Sequence, residues 1–185
     1  EITLQSKRDP NKKHDLQFGI IYEQRFSRSW SIATTGLWSL MRQLAKQSEP
    51  VLDKANPILA YDANGVFQDT VYYNSIVGAG REGVFTGNLR KHLMEVGAKD
   101  YNGNPIGPNS YLDVDMYGPE HYKLSYFSPD ELLNNGTAYV NYFGYDYLGN
   151  KLKGTKPSFA DFFNDSNKRT IGAFQPVYQS AFIQD

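Results

Sequence analysis

The sequence predicts an α+β fold in which amphipathic strands at the two ends bracket a long excursion of short helices and strands. Three observations carry this prediction. Asp15–Arg25 (DLQFGIIYEQR) alternates, with Leu16, Phe18, Ile20 and Tyr22 on one face and Gln17, Gly19, Glu23 and Arg25 mostly on the other. A period of two over about ten residues is a strand with one apolar and one polar face. Pro176–Asp185 (PVYQSAFIQD) reads as a second strand, expected to be truncated because no turn or cap follows it. The excursion between them, Ser27–Gln175, is too long for a bare loop and must hold structure of its own.

Each element has a local cause. Ile2–Lys7 alternates as a short strand, and Asp9-Pro10-Asn11-Lys12-Lys13 supplies turn chemistry, because Pro fixes φ and Asn tolerates positive φ. A hairpin joining Ile2–Lys7 to Asp15–Arg25 follows. Leu37, Leu40, Met41 and Leu44 fall at i, i+3, i+4 and i+7, the spacing of an amphipathic helix. Leu89, Leu93 and Val96 repeat it, with Gly97 placed to end the helix in the left-handed conformation. Ser128-Pro129-Asp130-Glu131 is a helix start: Ser caps, Pro takes the first position and Glu131 completes a capping box. Ser158 with Asp161 opens a shorter helix carrying Phe159, Phe162 and Phe163. Strands are expected at Gln68–Val77, Tyr111–Met116 and Tyr139–Tyr147, and a turn at Tyr101–Asn109. No internal repeat or low-complexity tract is apparent.

Composition excludes several function classes. The 185 residues carry a net charge of −1 with both signs scattered, so there is no basic footprint for nucleic acid. No cysteine is present, which removes disulfides and thiolate metal sites. No apolar run approaches the length of a transmembrane helix, and no leader of signal-peptide type opens the sequence. Aromatic content stands out, with 14 Tyr and 11 Phe against 2 Trp. Such a composition suits an exposed, ligand-facing β structure, and equally a secreted sandwich.

The alternation of Asp15–Arg25 fits a half-exposed strand of a soluble sandwich, and also an outer-membrane barrel strand with lipid on one side and a wet lumen on the other. Wording shifts the balance toward the second. LQFGIIYEQR, followed much later by a strand ending AFIQD, resembles TonB-dependent outer-membrane receptors, in particular the subclass with very large extracellular loops and a carboxypeptidase-regulatory-like N-terminal domain. Leu37–Ala45 (LWSLMRQLA), Tyr145–Gly154 (YDYLGNKLKG), Pro157–Phe163 (PSFADFF) and Ile171–Asp185 (IGAFQPVYQSAFIQD) carry the same resemblance. The resemblance implies an α+β fragment of an outer-membrane β-barrel. Residues 1–26 would be a barrel hairpin with a short periplasmic turn, 27–175 a large extracellular loop region, and 176–185 the returning, truncated barrel strand. It further implies a receptor in the bacterial outer membrane that imports a nutrient, with this loop region helping to capture the ligand. Implied partners are the remainder of the receptor barrel and plug, the nutrient ligand, and the TonB complex through parts outside this chain. Peptide, glycan and metal chelate all remain open as ligands.

Motifs that carry chemistry are few. Val77–Gly83 contains G-x-G-x-x-G, but TVYYNSIV before it carries Asn74 and Ser75 where a central parallel strand is apolar, and a turn follows where a second strand belongs. A glycine-rich loop is therefore the better reading. His14, His92 and His121 lack ligand spacing, and neither H-E-x-x-H nor G-x-S-x-G occurs. Asp113 and Asp115, with Glu120 and Asp146 nearby in sequence, offer carboxylates for Ca²⁺ or acid–base work, against solvated surface carboxylates. Asp62-Ala63-Asn64-Gly65 opens like a calcium loop without its distal Glu and reads as a turn. Asp69-Thr70-Val71 resembles a short bacterial O-glycosylation signal. Neither a cofactor nor a metal is expected, and no enzymatic activity.

The aromatic run Tyr139–Tyr147 (YVNYFGYDY) is the best binding segment. Tyrosine offers a stacking face and a hydroxyl at low entropic cost, so Tyr142, Tyr145 and Tyr147, with Asp146, are the expected ligand contacts. The competing account is sheet packing, since aromatic cross-strand pairs stabilise sheets. The rival to transport as a whole is a soluble secreted ligand-binding module, one suited to carbohydrate. What Leu16, Phe18, Ile20 and Tyr22 face separates the two: bilayer in the first, the module's own helices in the second.

Overall fold

A computed structural model describes residues 2–5, 13–77, 81–133, 138–154 and 156–184, with side chains from Leu16 onward. In chain order the elements are β1 (Ile2–Gln5), β2 (Lys13–Gln24), β3 (Ser29–Ile32), α1 (Thr34–Gln47), β4 (Val51–Leu52), β5 (Ile58–Tyr61), β6 (Phe67–Tyr72), β7 (Ser75–Ile76) and α2 (Val84–Glu95). Two 3₁₀ turns follow at Pro119–His121 and Leu124–Tyr126, then α3 (Pro129–Leu132), β8 (Val140–Phe143), α4 (Phe159–Asn164) and β9 (Val177–Gln184). The strands form an antiparallel sheet ordered β1-β2-β9 and three two-stranded ribbons, β3-β8, β4-β7 and β5-β6. All four are open, and the described residues contain no closed barrel. The turn expected at Asp9–Lys13 lies largely outside the described residues.

The long ladder joins the two ends of the chain. β2 pairs antiparallel with β9 from Gln17↔Gln184 to Gln24↔Val177. The same register continues to a bridge at Ser27↔Phe174, where each backbone N–H donates to the other residue's carbonyl at 2.9 and 3.1 Å.

The hydrophobic core sits elsewhere, inside the excursion. α1 buries Leu37, Leu40, Met41 and Leu44, the four residues its spacing nominates, against Phe85, Leu89 and Leu93 of α2. Phe127 stacks on Phe85 with ring centroids 4.3 Å apart, and Leu112, Val114, Leu132, Val140 and Tyr142 close the cluster. Val96 does not join it. α2 ends at Glu95, Gly97 turns away at φ +67°, and Val96 is left exposed.

Three polar residues tie this core to its surroundings. Glu131 completes the capping box on Ser128 and also accepts from the Phe85 N–H at 3.2 Å, so one carboxylate serves the N-termini of both α3 and α2. Negative charge is favoured at both sites because the first N–H groups of a helix are unpaired. Arg90, buried on α2, donates to Glu82 at 2.7 Å and to the carbonyls of Gly107 and Ser110 at 3.2 and 2.6 Å. Arg169 pairs with Asp130 through Nε and Nη2 at 2.7 and 3.1 Å and holds the Phe162 carbonyl at the end of α4. That ion pair holds the Asp130 carboxyl below its ordinary range.

All three strands expected within the excursion differ, and Gln68–Val77 divides into β6 and β7, which pair with β5 and β4. Tyr111–Met116 is a turn: Leu112 and Val114 point inward as the alternation requires, but Asp113 accepts the Asp115 N–H at 2.9 Å and its carbonyl takes the Met116 N–H. Aspartate side chains compete with a ladder for backbone donors, and among the described residues no partner strand lies alongside. Tyr139–Tyr147 keeps only β8, because Gly144 adopts φ +72° and breaks the extended run.

Candidate functional site

The β2–β9 sheet presents two unlike faces. By register, Leu16, Phe18, Ile20 and Tyr22 of β2 share a face with Val177, Ala181 and Ile183 of β9, interrupted by Gln179. The other face carries Gln17, Glu23, Ser180 and Gln184, with Ile21, Tyr178 and Phe182 among them. Phe182 lies over Gly19, where an added Cβ would collide with the ring. An aromatic covering a cross-strand glycine restores packing that the glycine leaves out.

Nothing in the described structure covers the apolar face. Phe18 is 61%, Ile20 82% and Ile183 76% exposed, while every residue of the buried cluster lies between Leu37 and Tyr142. Large contiguous apolar patches are rare on the free surface of a soluble monomer and mark contact with a membrane or a partner.

The tyrosine segment is built differently from its expected role. Tyr142 is buried and its hydroxyl donates to the Arg169 carbonyl at 2.6 Å, so it supports the core and offers no stacking face. Tyr145 and Tyr147 are half-buried against the same cluster. Asp146 is committed to a tight turn, accepting from the N–H groups of Leu148 and Asn150 at 3.0 and 2.7 Å and from the Asn150 amide at 2.9 Å. Trp30 of β3 packs on that turn and donates to the Tyr147 carbonyl at 3.2 Å.

This turn recurs. Asp62 accepts from the N–H groups of Asn64 and Val66, and Asp100 from those of Asn102 and Asn104, each at 2.8–2.9 Å. In all three an Asp-x-x-Gly spacing places glycine at positive φ, at Gly65, Gly103 and Gly149. The aspartates at these turns are hydrogen-bonded inward, and the Asp100 carboxyl is held low by the Asn104 N–H. The spacing is legible in sequence once the turn geometry is known.

Burial also marks two phenols. The Tyr122 hydroxyl donates to the Val114 carbonyl, and burial pushes both Tyr122 and Tyr142 up to about 12. A folded-state value above the unfolded one means that the stabilisation is complete below the ordinary phenol value and is lost as pH rises toward the folded value. Urea midpoints are therefore expected to fall between about pH 10 and 12, and to fall less in a Tyr122→Phe/Tyr142→Phe double variant. An identical alkaline decline in both proteins would remove these phenols as its cause.

The remaining sequence features separate. Asp115 bonds Arg42 at 2.9 Å while Asp113 caps its own turn, so the two carboxylates do not converge. Among the described residues no group of three or more His, Asp or Glu side chains is disposed to hold a metal ion. His92 Nε2 and His121 Nδ1 meet at 3.3 Å, a contact that their distance of 29 residues hides, and Glu120 lies 3.6 Å from the outer nitrogen of His121. The side chain of His14 and residues Gly78–Gly80 of the glycine-rich loop lie outside what the structure describes. Thr70 is exposed on β6, next to Asp69 at φ +53°. No described helix is long and apolar enough to cross a membrane. Comparison with protein-family models, with curated proteins and with solved structures finds no match.

Proposed function

We propose that this chain is part of a TonB-dependent outer-membrane receptor of the large-loop subclass, which imports a nutrient. In this reading the β1-β2-β9 sheet is a segment of barrel wall, and the excursion 27–175 stands on the extracellular side and helps enclose ligand. The observation that carries it is the uncovered face of Phe18, Ile20, Tyr22 and Ile183, beside a separate core that takes none of the described side chains of β2 or β9. A soluble module of this size would bury such a face, since each large apolar side chain left in water forgoes about 1.5–3 kcal/mol. Lipid supplies the missing cover, and the polar face then looks into the lumen. Of the four residues expected at the ligand, Tyr145 and Tyr147 retain partly exposed rings; Tyr142 and Asp146 serve the fold.

Single cysteines test this in the full-length protein, reconstituted with brominated lipid. Fluorophores at Phe18→Cys, Ile20→Cys and Ile183→Cys are expected to be quenched by the lipid. Those at Gln17→Cys and Gln184→Cys should instead react with a water-soluble thiol reagent. Equal aqueous reactivity at all five positions would overturn lipid contact and with it the barrel reading.

A further inference from the structure

β5 and β6 form a hairpin that pairs only with itself among the described residues, and none of its side chains joins the buried cluster. Every residue of β6 is exposed. The strand pairs place Leu59, Tyr61, Phe67 and Val71 on one side of the hairpin and Ile58 with Tyr72 on the other. The first side covers part of itself, since the rings of Tyr61 and Phe67 meet edge to face at 5.9 Å. On the second side Ile58 and Tyr72 both stand open, Tyr72 at 60% exposure. A two-stranded hairpin is marginal in water unless something covers one of its faces.

Thr70 stands two residues before Tyr72 on the same strand, so the alternation of a strand turns both toward the open side. Its hydroxyl donates to the Gln68 carbonyl at 3.2 Å, a bond that uses the proton and not the oxygen lone pairs. The register slips here, between the Leu59↔Val71 and Tyr61↔Phe67 pairs, and bulged residues of this kind leave the ladder. Asp69 enters the slip at φ +53°, a left-handed conformation that aspartate tolerates better than most residues. Asp62, Asp100 and Asp146 spend their carboxylates on their own turns, whereas Asp69 caps no turn among the described residues. Asp69-Thr70-Val71 is also the one place in the sequence where Asp, a hydroxyl residue and an aliphatic residue follow one another. The nearest rival, Asp165-Ser166, continues with Asn167, and Asp165 is engaged by the Asn167 N–H at 3.2 Å.

We propose that Thr70 is O-glycosylated, with Asp69 read by the transferase, and that the attached glycan lies over Tyr72 and Ile58. In the transfer the Thr70 oxygen bonds to the anomeric carbon of a glycosyl diphosphate donor. The bond from that carbon to the diphosphate breaks, the diphosphate leaves with the electron pair, and the hydroxyl proton passes to a base of the transferase. The C–H face of a sugar then packs on the tyrosine ring and supplies the cover that the protein does not. Receptor and secreted module both carry this hairpin outside the cytoplasm, so the site does not depend on the barrel reading.

Glycopeptide mass spectrometry of the full-length protein, purified from its own source, reads the site. A sugar is expected on Thr70 and none on Ser166. Thr70→Ser should keep the modification and Thr70→Val should abolish it. Asp69→Asn, which tolerates the same left-handed backbone but carries no charge, should lose most of it. A bare Thr70, or a phosphoryl group in place of a sugar, would overturn the proposal. Undiminished glycosylation of Asp69→Asn would support the site and overturn the part given to Asp69. Hydrogen exchange reads the cover, by comparing the parent from its source with the same sequence made in a host that lacks the transferase. The β5 and β6 amides are expected to exchange several-fold faster in the bare protein. Equal exchange would overturn the cover, with the mass spectrum still deciding the site.

Discussion

Arg90→Ala is expected to destabilise the fold by about 3–5 kcal/mol, the usual cost of removing one partner from a buried ion pair. The guanidinium is 6% exposed and joins three segments at once, through Glu82, Gly107 and Ser110. Alanine strands the Glu82 carboxylate and two carbonyls beside the core and opens space next to Leu89 and Leu93. Glu82→Gln should cost less, because Arg90 keeps both carbonyls and Gln still accepts. A double change to Arg90→Met with Glu82→Leu should recover much of the loss, since apolar replacements of similar volume often match or exceed a buried pair. Urea denaturation reads all three. A loss below about 1 kcal/mol for Arg90→Ala would mean that solvent reaches the pair and that the three segments hold together without it.

Ile20→Arg separates the membrane reading from the soluble one by the size of its effect. At 82% exposure, an isoleucine facing water tolerates arginine within about half a kcal/mol. Facing the middle of a bilayer, the same change costs about 2–4 kcal/mol. Assembly into the outer membrane, followed by fractionation and by the shift in electrophoretic mobility on heating, should fall in Ile20→Arg. It should stay near the parent level in Gln17→Arg, which sits on the opposite face. Equal assembly of both variants would contradict lipid contact along β2.

Elements whose cause lies within a few residues were legible in the sequence. The spacing of Leu37, Leu40, Met41 and Leu44 defines the buried stripe of α1, and both Ser-x-x-acid capping boxes form, at Ser128 and Ser158. The alternation of Asp15–Arg25 marks β2 as a strand. Features whose cause is distant were not legible. Glu131 finds Phe85 across 46 residues, and Arg169 finds Asp130 across 39. Tyr111–Met116 shows how a local signal misleads: its alternation correctly buries Leu112 and Val114, but a strand needs a neighbour and the described residues supply none. Within the tyrosine segment Tyr142 turns inward, because an aromatic run looks identical in sequence whether it meets a ligand or the protein's own core.

The unbroken register between β2 and β9 has a bearing on how such a chain changes over generations. Everything from Arg28 to Ala173 departs from and returns to neighbouring strands, roughly 5 Å apart. Loop-closure entropy grows only logarithmically with length, and the paired strands already hold the two ends together. The excursion is thus a cassette: its length and contents can be rewritten, or exchanged for a two-residue turn, without moving a single hydrogen bond of the ladder that carries it.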